Sequence, residues 1–233
     1  MNEFIDPLLF GVFPYVALAT AVVGSAWRIR RAPLTWKTGS SQLLESRWLR
    51  VGSILFHFGM VNLLLGHLFG LLTPHHLYES LGLATAMKQR IEIVMGFVMA
   101  PAVFAGGAIL IWCRLVDDRV KASSGWGDIP LLAALLAEVG LGALTIPQSM
   151  HHLDGSMMLK LTGYVQGLVV LDASSWRNLS DVPWIYKAHM AVGFLFLLVL
   201  PFTKLVHVLS GLLVVRYLLR PWQVVRKGNW SRR

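Results

Sequence analysis

Five long runs of apolar residues follow one another along the chain, separated by polar or charged segments. A helix needs about 20 apolar residues to cross the hydrocarbon core of a bilayer, and each run is near or above that length. The pattern predicts an all-α integral membrane protein, a bundle of five transmembrane helices within residues 1–210. The predicted spans are Leu8–Trp27, Val51–Leu72, Ile91–Cys113, Ile129–Pro147 and Trp184–Leu209.

Three features outside this simple pattern carry further predictions. Pro201 predicts a kink in the fifth span, because proline cannot donate a helical hydrogen bond. The stretch Gln148–Pro183 has apolar residues suited to an amphipathic helix at the membrane interface. Residues 211–233 form a basic tail that mixes aromatic and apolar residues with arginine. For this tail, a lipid-facing anchor and a docking surface for a partner are both open interpretations.

Basic residues are divided unevenly between the two sets of loops that five spans create. One set, with the tail and Lys204, holds sixteen Lys and Arg residues, and the other set holds five. Because cytoplasmic loops carry the excess of Lys and Arg, we predict an outside N-terminus and a cytoplasmic C-terminus. This topology explains most of the formal net charge of +9, so the charge gives little support for nucleic-acid binding.

The composition supports a membrane protein and excludes redox groups that need several cysteines. Hydrophobic residues make up 55% of the chain and charged residues 14%, whereas soluble domains are about 25% charged. The single cysteine, Cys113, excludes an intrachain disulfide, a Cys-ligated iron–sulfur cluster and a CxxCH haem attachment. The acidic N-terminus lacks the basic region of a signal peptide, so the first apolar run is expected to remain as a span.

Four of the eight histidines fall within two of the predicted spans. His57 and His67 lie in the second span, and His189 and His207 lie in the fifth. Ionisable groups at membrane depth are costly and are candidates for function. Because the two spans run in opposite directions, each contributes one imidazole near each side of the membrane. This arrangement favours two bis-histidine b-type haems, one at each level.

The spacing of these histidines supports the haem hypothesis only in part. At 100° per residue, His189 and His207 return to one helical face, and His57 and His67 lie about 80° apart. The axial rises differ, at about 27 Å and about 15 Å, so helix tilt and the proline kink have to absorb the difference. Small residues near the ligands suit a flat macrocycle, although close helix packing also explains them. These residues are Gly59, Gly66, Gly70 and Gly193.

Other interpretations of the polar residues in the spans stay open. Zinc would need three or four clustered ligands, which two separated pairs do not offer. A haem-free transporter or assembly protein is a second alternative, but the chain has no internal repeat or pair of broken helices. Glu138, in the middle of the fourth span, is expected to be protonated and hydrogen-bonded inside the bundle. A proton relay through Glu138 is the alternative.

Several motifs, at their spacings, resemble one known family. They are Ser40–Leu44, Leu55–Gly59, Gly66–Pro74, Leu144–Pro147, His152–Ser156 and Pro201–His207. Together they resemble the gamma subunit of respiratory nitrate reductase, and the similarity covers nearly the whole chain. The resemblance implies a dihaem cytochrome b of the bacterial cytoplasmic (inner) membrane that oxidises quinol. Its expected partners are an iron–sulfur beta subunit and a molybdenum alpha subunit that reduces nitrate, both on the cytoplasmic side.

The resemblance also implies roles for individual residues. His67 and His189 would bind the distal haem near the outer face, and His57 and His207 the proximal haem near the inner face. By the same resemblance, the quinol site lies at Gly66, His67 and Lys88, with Lys88 just before the third span.

The resemblance leaves two alternatives open. By the resemblance, Arg114 matches an arginine at the inner end of the third span and could pair with a haem propionate, but a positive-inside anchor is an equally good interpretation. A related dihaem subunit of another reductase, sulfite- or heterodisulfide-linked, remains the nearest alternative function.

Overall fold

The computed structural model describes residues 5–32 and 47–209, which form helices joined by short loops. The α-helices are α1 Phe13–Arg31, α2 Arg47–Leu72, α3 His75–Ser80, α4 Thr85–Val116, α5 Asp118–Ser123, α6 Asp128–Met150, α7 Ser156–Val169 and α8 Trp184–Val199. Other helical turns are the π-helical Pro7–Val12 and the 3-10 helical Ser175–Leu179, Leu200–Phe202 and Lys204–Leu209. The predicted tail and the motif Ser40–Leu44 lie outside the described residues.

Five helical segments are long and apolar enough to cross a membrane, as predicted. They are Pro7–Arg31, Arg47–Leu72, Thr85–Val116, Asp128–Met150 and Trp184–Phe202. Their outer faces carry large apolar side chains with little cover, such as Phe97 at 71% exposure and Val22 at 68%. Such a surface suits lipid rather than water. The helices extend beyond most of the predicted spans, because polar residues such as Thr85 and Arg90 continue the helix past the apolar run.

The five spans pack side by side in the order α2, α4, α6, α8 and α1. The contact between α2 and α4 is the closest, because glycines remove side chains from both surfaces. A Cβ atom on Gly106 would overlap the backbone nitrogen of Phe56 and lie 2.7 Å from the carbonyl oxygen of Gly52. The backbones of α2 and α4 therefore touch directly, and this contact holds α2 in place.

We expect Gly106→Ala to destabilise the bundle, although alanine is the better helix former by about 1 kcal/mol. The added methyl group meets main-chain atoms of α2, which cannot move aside as a flexible side chain can. Overpacking of this kind costs about 1–3 kcal/mol, so the melting temperature in detergent should fall. Gly140→Ala is the matched control, because its Cβ would lie 3.5 Å from the Phe104 ring, an ordinary contact. Equal melting temperatures for the two variants would contradict the close contact of α2 and α4.

One end of the bundle, called here the α7 end, is closed by α7. The hydroxyl of Tyr164 donates to the carbonyl oxygen of Phe10 at 2.9 Å, and burial raises the pKa of this tyrosine. Gln166 donates to the carbonyl oxygens of Leu71 and Thr73, which have no helical partner at the end of α2. The predicted helix within Gln148–Pro183 is thus confirmed, and it is tied to the ends of two spans. Its position at a membrane interface stays a prediction.

The opposite end, called here the Arg28 end, contains a break in the last span. The α-helix ends at Val199, and Thr203 has extended backbone between two 3-10 turns. The prediction of one kinked helix reaching Leu209 was therefore wrong. Pro201 lacks an N–H, and the guanidinium of Arg28 donates to the carbonyl oxygens of Pro201 and Thr203 at 2.7 and 2.8 Å. These bonds satisfy polar groups that the break leaves without helical partners.

Candidate functional site

At the Arg28 end, the rings of His57 and His207 lie close together, with their planes inclined at 68°. His57 extends from α2, and His207 lies on the 3-10 turn after the break; their ring centroids are 6.2 Å apart. Nδ1 of His57 lies 2.8 Å from the carbonyl oxygen of Ser53. Nδ1 of His207 lies 2.6 Å from the carbonyl oxygen of Lys204. In both residues Nδ1 is engaged by the backbone of the preceding turn.

Nearer the α7 end, His67 of α2 and His189 of α8 form the second pair, with ring centroids 5.8 Å apart. Nδ1 of His67 lies 2.7 Å from the carbonyl oxygen of Leu63. Nδ1 of His189 has a different neighbour, Oε1 of Glu138 at 3.0 Å. The structure therefore brings all four histidines into two pairs at two levels, the pairing that their positions along the chain predict.

The spacing of both pairs is compatible with two ligands of one metal ion. With metal–nitrogen bonds of about 2 Å, two such imidazoles would have ring centroids about 6 Å apart. A carbonyl at Nδ1 selects the tautomer with its proton on Nδ1, which leaves the lone pair of Nε2 for a metal. In addition, α2 and α8 are not neighbours in the packing order of the described spans. The imidazoles thus reach toward each other across an interval between two helices, where a macrocycle would lie.

The structure also explains how histidines with unequal spacing meet. The predicted rises of about 15 Å and about 27 Å assumed two continuous α-helices. His207 instead follows the break at Leu200–Thr203, so its direction depends on Thr203 and on the Arg28 hydrogen bonds. The face shared by His189 and His207 therefore does not come from helical periodicity, as the sequence had indicated.

Lys88 is buried at the α7 end, where the sequence predicted a quinol site. It lies in the first turn of α4, not before the span, and only 6% of it is exposed. Its Nζ is 4.1 Å from the centroid of the Tyr78 ring and has no hydrogen-bond partner among the described residues. One turn later, the Glu92 carboxylate touches Gly70, which follows His67 by one turn of α2. The side chain of Lys88 is therefore buried and does not extend to the surface, as a lysine at the end of a membrane helix often does.

The sequence of the chain was compared with those of known protein families, and the match covers all four paired histidines and Lys88. Residues 6–228 match the profile of a family described as nitrate reductase gamma subunit. The chain belongs to the nitrate reductase gamma subunit family. The family resemblance predicted from the motifs is thus confirmed over almost the full length.

Three relatives of this gamma subunit family member illustrate the coverage. It is 36% identical over 224 residues to the respiratory nitrate reductase 1 gamma chain of Escherichia coli (strain K12), covering 96% of this chain and 98% of that one. It is 37% identical over 226 residues to the respiratory nitrate reductase 2 gamma chain of the same strain, covering 97% and 99%. It is 32% identical over 224 residues to the nitrate reductase gamma chain of Bacillus subtilis (strain 168), covering 95% and 98%.

The glycines near the histidines of this family member do not all serve the same purpose. No atom lies within 4 Å of a Cβ built on Gly66, so the space beside His67 is open, as a macrocycle or a quinol requires. A Cβ on Gly59 would lie 3.0 Å from the carbonyl oxygen of Met99, which is close helix packing. Gly193 admits the Glu138 carboxylate, whose Oε1 would lie 3.2 Å from an added Cβ. Of the predicted glycines, Gly66 alone leaves open space.

Arg114 occupies the last turn of α4, at the Arg28 end. Its Nη1 donates to the carbonyl oxygen of Leu110 at 2.9 Å. Its Nε is buried and has no hydrogen-bond partner within residues 5–32 and 47–209. A propionate would satisfy this donor, so the geometry is compatible with the predicted role, which stays a prediction.

Sequence reasoning missed Tyr78 and did not connect Glu92 or Glu138 to a site. Tyr78 lies on α3, and its contact with Lys88 crosses a loop that the apolar pattern does not describe. Glu92 interrupts an apolar run four residues after Lys88, a signal that was available. Among the described residues, no group of three or more His, Cys, Asp or Glu side chains could hold a metal ion. The zinc alternative has no cluster of ligands in this part of the chain.

Proposed function

We propose that the chain is the quinol-oxidising dihaem cytochrome b subunit of a respiratory nitrate reductase in a bacterial cytoplasmic membrane. The observation that carries the proposal is the close approach of two imidazoles at each of two levels, with ring centroids 6.2 and 5.8 Å apart and ring planes inclined at 68° and 55°. His57 and His207 would hold the proximal haem b, and His67 and His189 the distal haem b. When bound, the haems would supply one-electron carriers between the two ends of the bundle.

Quinol would bind beside the distal pair, at Gly66, His67 and Lys88. Oxidation of a quinol releases two electrons and two protons, so the site needs a donor to its oxygens and a route for protons. The buried ammonium of Lys88, which lacks a hydrogen-bond partner among the described residues, would donate to a quinol oxygen. The space beside Gly66 would admit the ring. Protons would leave from the α7 end.

The Arg28 end would face the cytoplasm. Within the described residues it carries nine Lys and Arg side chains, against five at the α7 end. The partners at that end would be an iron–sulfur beta subunit and a molybdenum alpha subunit, with the tail 211–233 as a docking segment. Three relatives named as nitrate reductase gamma chains support nitrate over sulfite or heterodisulfide as the terminal substrate class. Negative charge moving inward while protons leave outside would build a membrane potential.

Purification of the full chain with co-expressed partner subunits tests this proposal. We expect about two b-type haems per chain, reduction of both by a water-soluble quinol, and reoxidation by nitrate only when the partners are present. A folded chain without haem contradicts the dihaem assignment and favours the transporter or assembly alternative. Two haems with partners that do not respond to nitrate would instead favour another reductase.

A further inference from the structure

Glu138 and His189 face each other at the contact between α6 and α8, two helices that pack side by side. The side chain of Glu138 is 13% exposed and that of His189 is 21% exposed, although Glu138 lies near the middle of a 23-residue apolar helix. A carboxylate at this depth is costly to bury without a polar partner. Its nearest nitrogen is Nδ1 of His189, 3.0 Å from Oε1.

The three other paired histidines have backbone carbonyls at Nδ1, but His189 does not. Nδ1 of His189 and Oε2 of Glu138 are both buried and make no hydrogen bond to any described residue. The 3.0 Å approach is within ion-pair distance but is not aligned as a hydrogen bond. The χ2 torsion of a histidine is broad, so the imidazole has freedom to rotate toward the carboxylate.

Two glycines allow this approach. Gly142 lies one turn after Glu138 on α6, and a Cβ there would lie 3.0 Å from Cε1 of His189. Gly193 lies one turn after His189 on α8, and a Cβ there would lie 3.2 Å from Oε1 of Glu138. Each helix therefore presents one glycine and one functional side chain to the other, so the imidazole and the carboxylate are held together. This reciprocal arrangement distinguishes the contact from chance proximity.

We propose that Glu138 is the positioning residue of the distal haem: its carboxylate accepts the Nδ1–H of His189 and directs Nε2 toward the iron and His67. The proposal rests on the proposed function, because it assumes that His189 binds haem. A carboxylate partner at the second ring nitrogen fixes the tautomer and makes the imidazole a stronger donor to the metal. A stronger donor favours the oxidised iron, so Glu138 lowers the midpoint potential of the distal haem relative to a neutral partner.

Potentiometric titration of the haem absorbance tests the role of Glu138 in membranes that contain the full chain with its partner subunits. Glu138→Leu should raise the midpoint potential of the distal haem and leave that of the proximal haem unchanged. Glu138→Gln keeps an oxygen acceptor, so its distal potential should lie between those of wild type and the leucine variant. Leu144→Ala, on the outward face of α6 at 60% exposure, is the control and should leave both potentials unchanged.

The outcomes separate this inference from the proposed function. A wild-type chain without two haems overturns the proposed function, and the inference with it. Two wild-type haems whose potentials are unchanged in both Glu138 variants overturn the inference alone, as does an equal shift of both haems. If Glu138→Leu does not fold, Glu138→Gln decides: an upward shift confined to the distal haem supports the inference, and no shift overturns it.

Discussion

Replacing His67 with alanine is expected to remove one of two haems and to abolish electron transfer from quinol. A bis-histidine iron needs both imidazoles, and His67 is the only contribution of α2 to the pair nearest the α7 end. The haem-to-chain ratio should fall from about two to about one, with a single remaining step in a redox titration. The pair of His57 and His207 is built from other turns of the same spans, so the remaining haem should keep its potential.

A matched control separates the loss of a ligand from the loss of any histidine. His75 lies on α3 at the same end of the bundle, with its side chain 53% exposed and its Nε2 3.3 Å from Glu79. His75→Ala should therefore retain about two haems and full quinol oxidation. If His67→Ala also retains both haems with unchanged potentials, His67 is not a ligand and the distal assignment is wrong.

The five spans could be predicted because lipid selects for the total apolar content of a segment. Their ends could not, because charged and polar residues such as Thr85 and Lys88 continue a helix once it has begun. Lys88 was thus expected outside the span, whereas it is buried in the first turn of α4. Hydropathy indicates whether a segment favours lipid or water, but it does not show where the hydrogen-bonded helix begins and ends.

The two histidine levels followed from the direction of each span, but the way in which the rings meet did not. The mismatch of about 12 Å between the two predicted rises had to be absorbed by helix tilt and the proline kink. The structure avoids the mismatch by ending α8 at Val199 and placing His207 on a separate turn. Arg28, which is more than 170 residues away in the chain, donates two hydrogen bonds to this break. A contact at this separation leaves no periodic trace in the sequence.

For Glu138, the sequence predicted the need for a polar partner but not the identity of that partner. An acid in an apolar helix was visible in the sequence, and a protonated side chain, hydrogen-bonded inside the bundle, was the expected result; its protonation stays a prediction. Which partner it would have depended on the packing of α6 against α8 through Gly142 and Gly193. Residue type therefore predicted that Glu138 needs a partner, and tertiary structure identified His189.

Replacing Lys88 with alanine is expected to lower quinol oxidation by about tenfold to a hundredfold while both haems remain. The expected size follows from the loss of a hydrogen bond from a charged donor, about 1.5–3 kcal/mol. The ammonium lies over Tyr78 without a hydrogen-bond partner among the described residues, so its donors are available to a ligand. The measurement is the steady-state rate with a soluble quinol, alongside haem content and the dithionite-reduced spectrum.

Lys160 provides the control for charge at the same end of the bundle. It lies on α7 with a side chain 42% exposed, and its Nζ is 3.8 Å from the carboxylate of Asp181. Lys160→Ala removes the same charge without changing Gly66, His67 or Lys88, so its quinol oxidation should match that of wild type. If both lysine variants lose activity equally, the effect of Lys88 arises from the surface charge of the α7 end. If Lys88→Ala keeps its full rate, quinol binds elsewhere, and the open space beside Gly66 serves the distal haem alone.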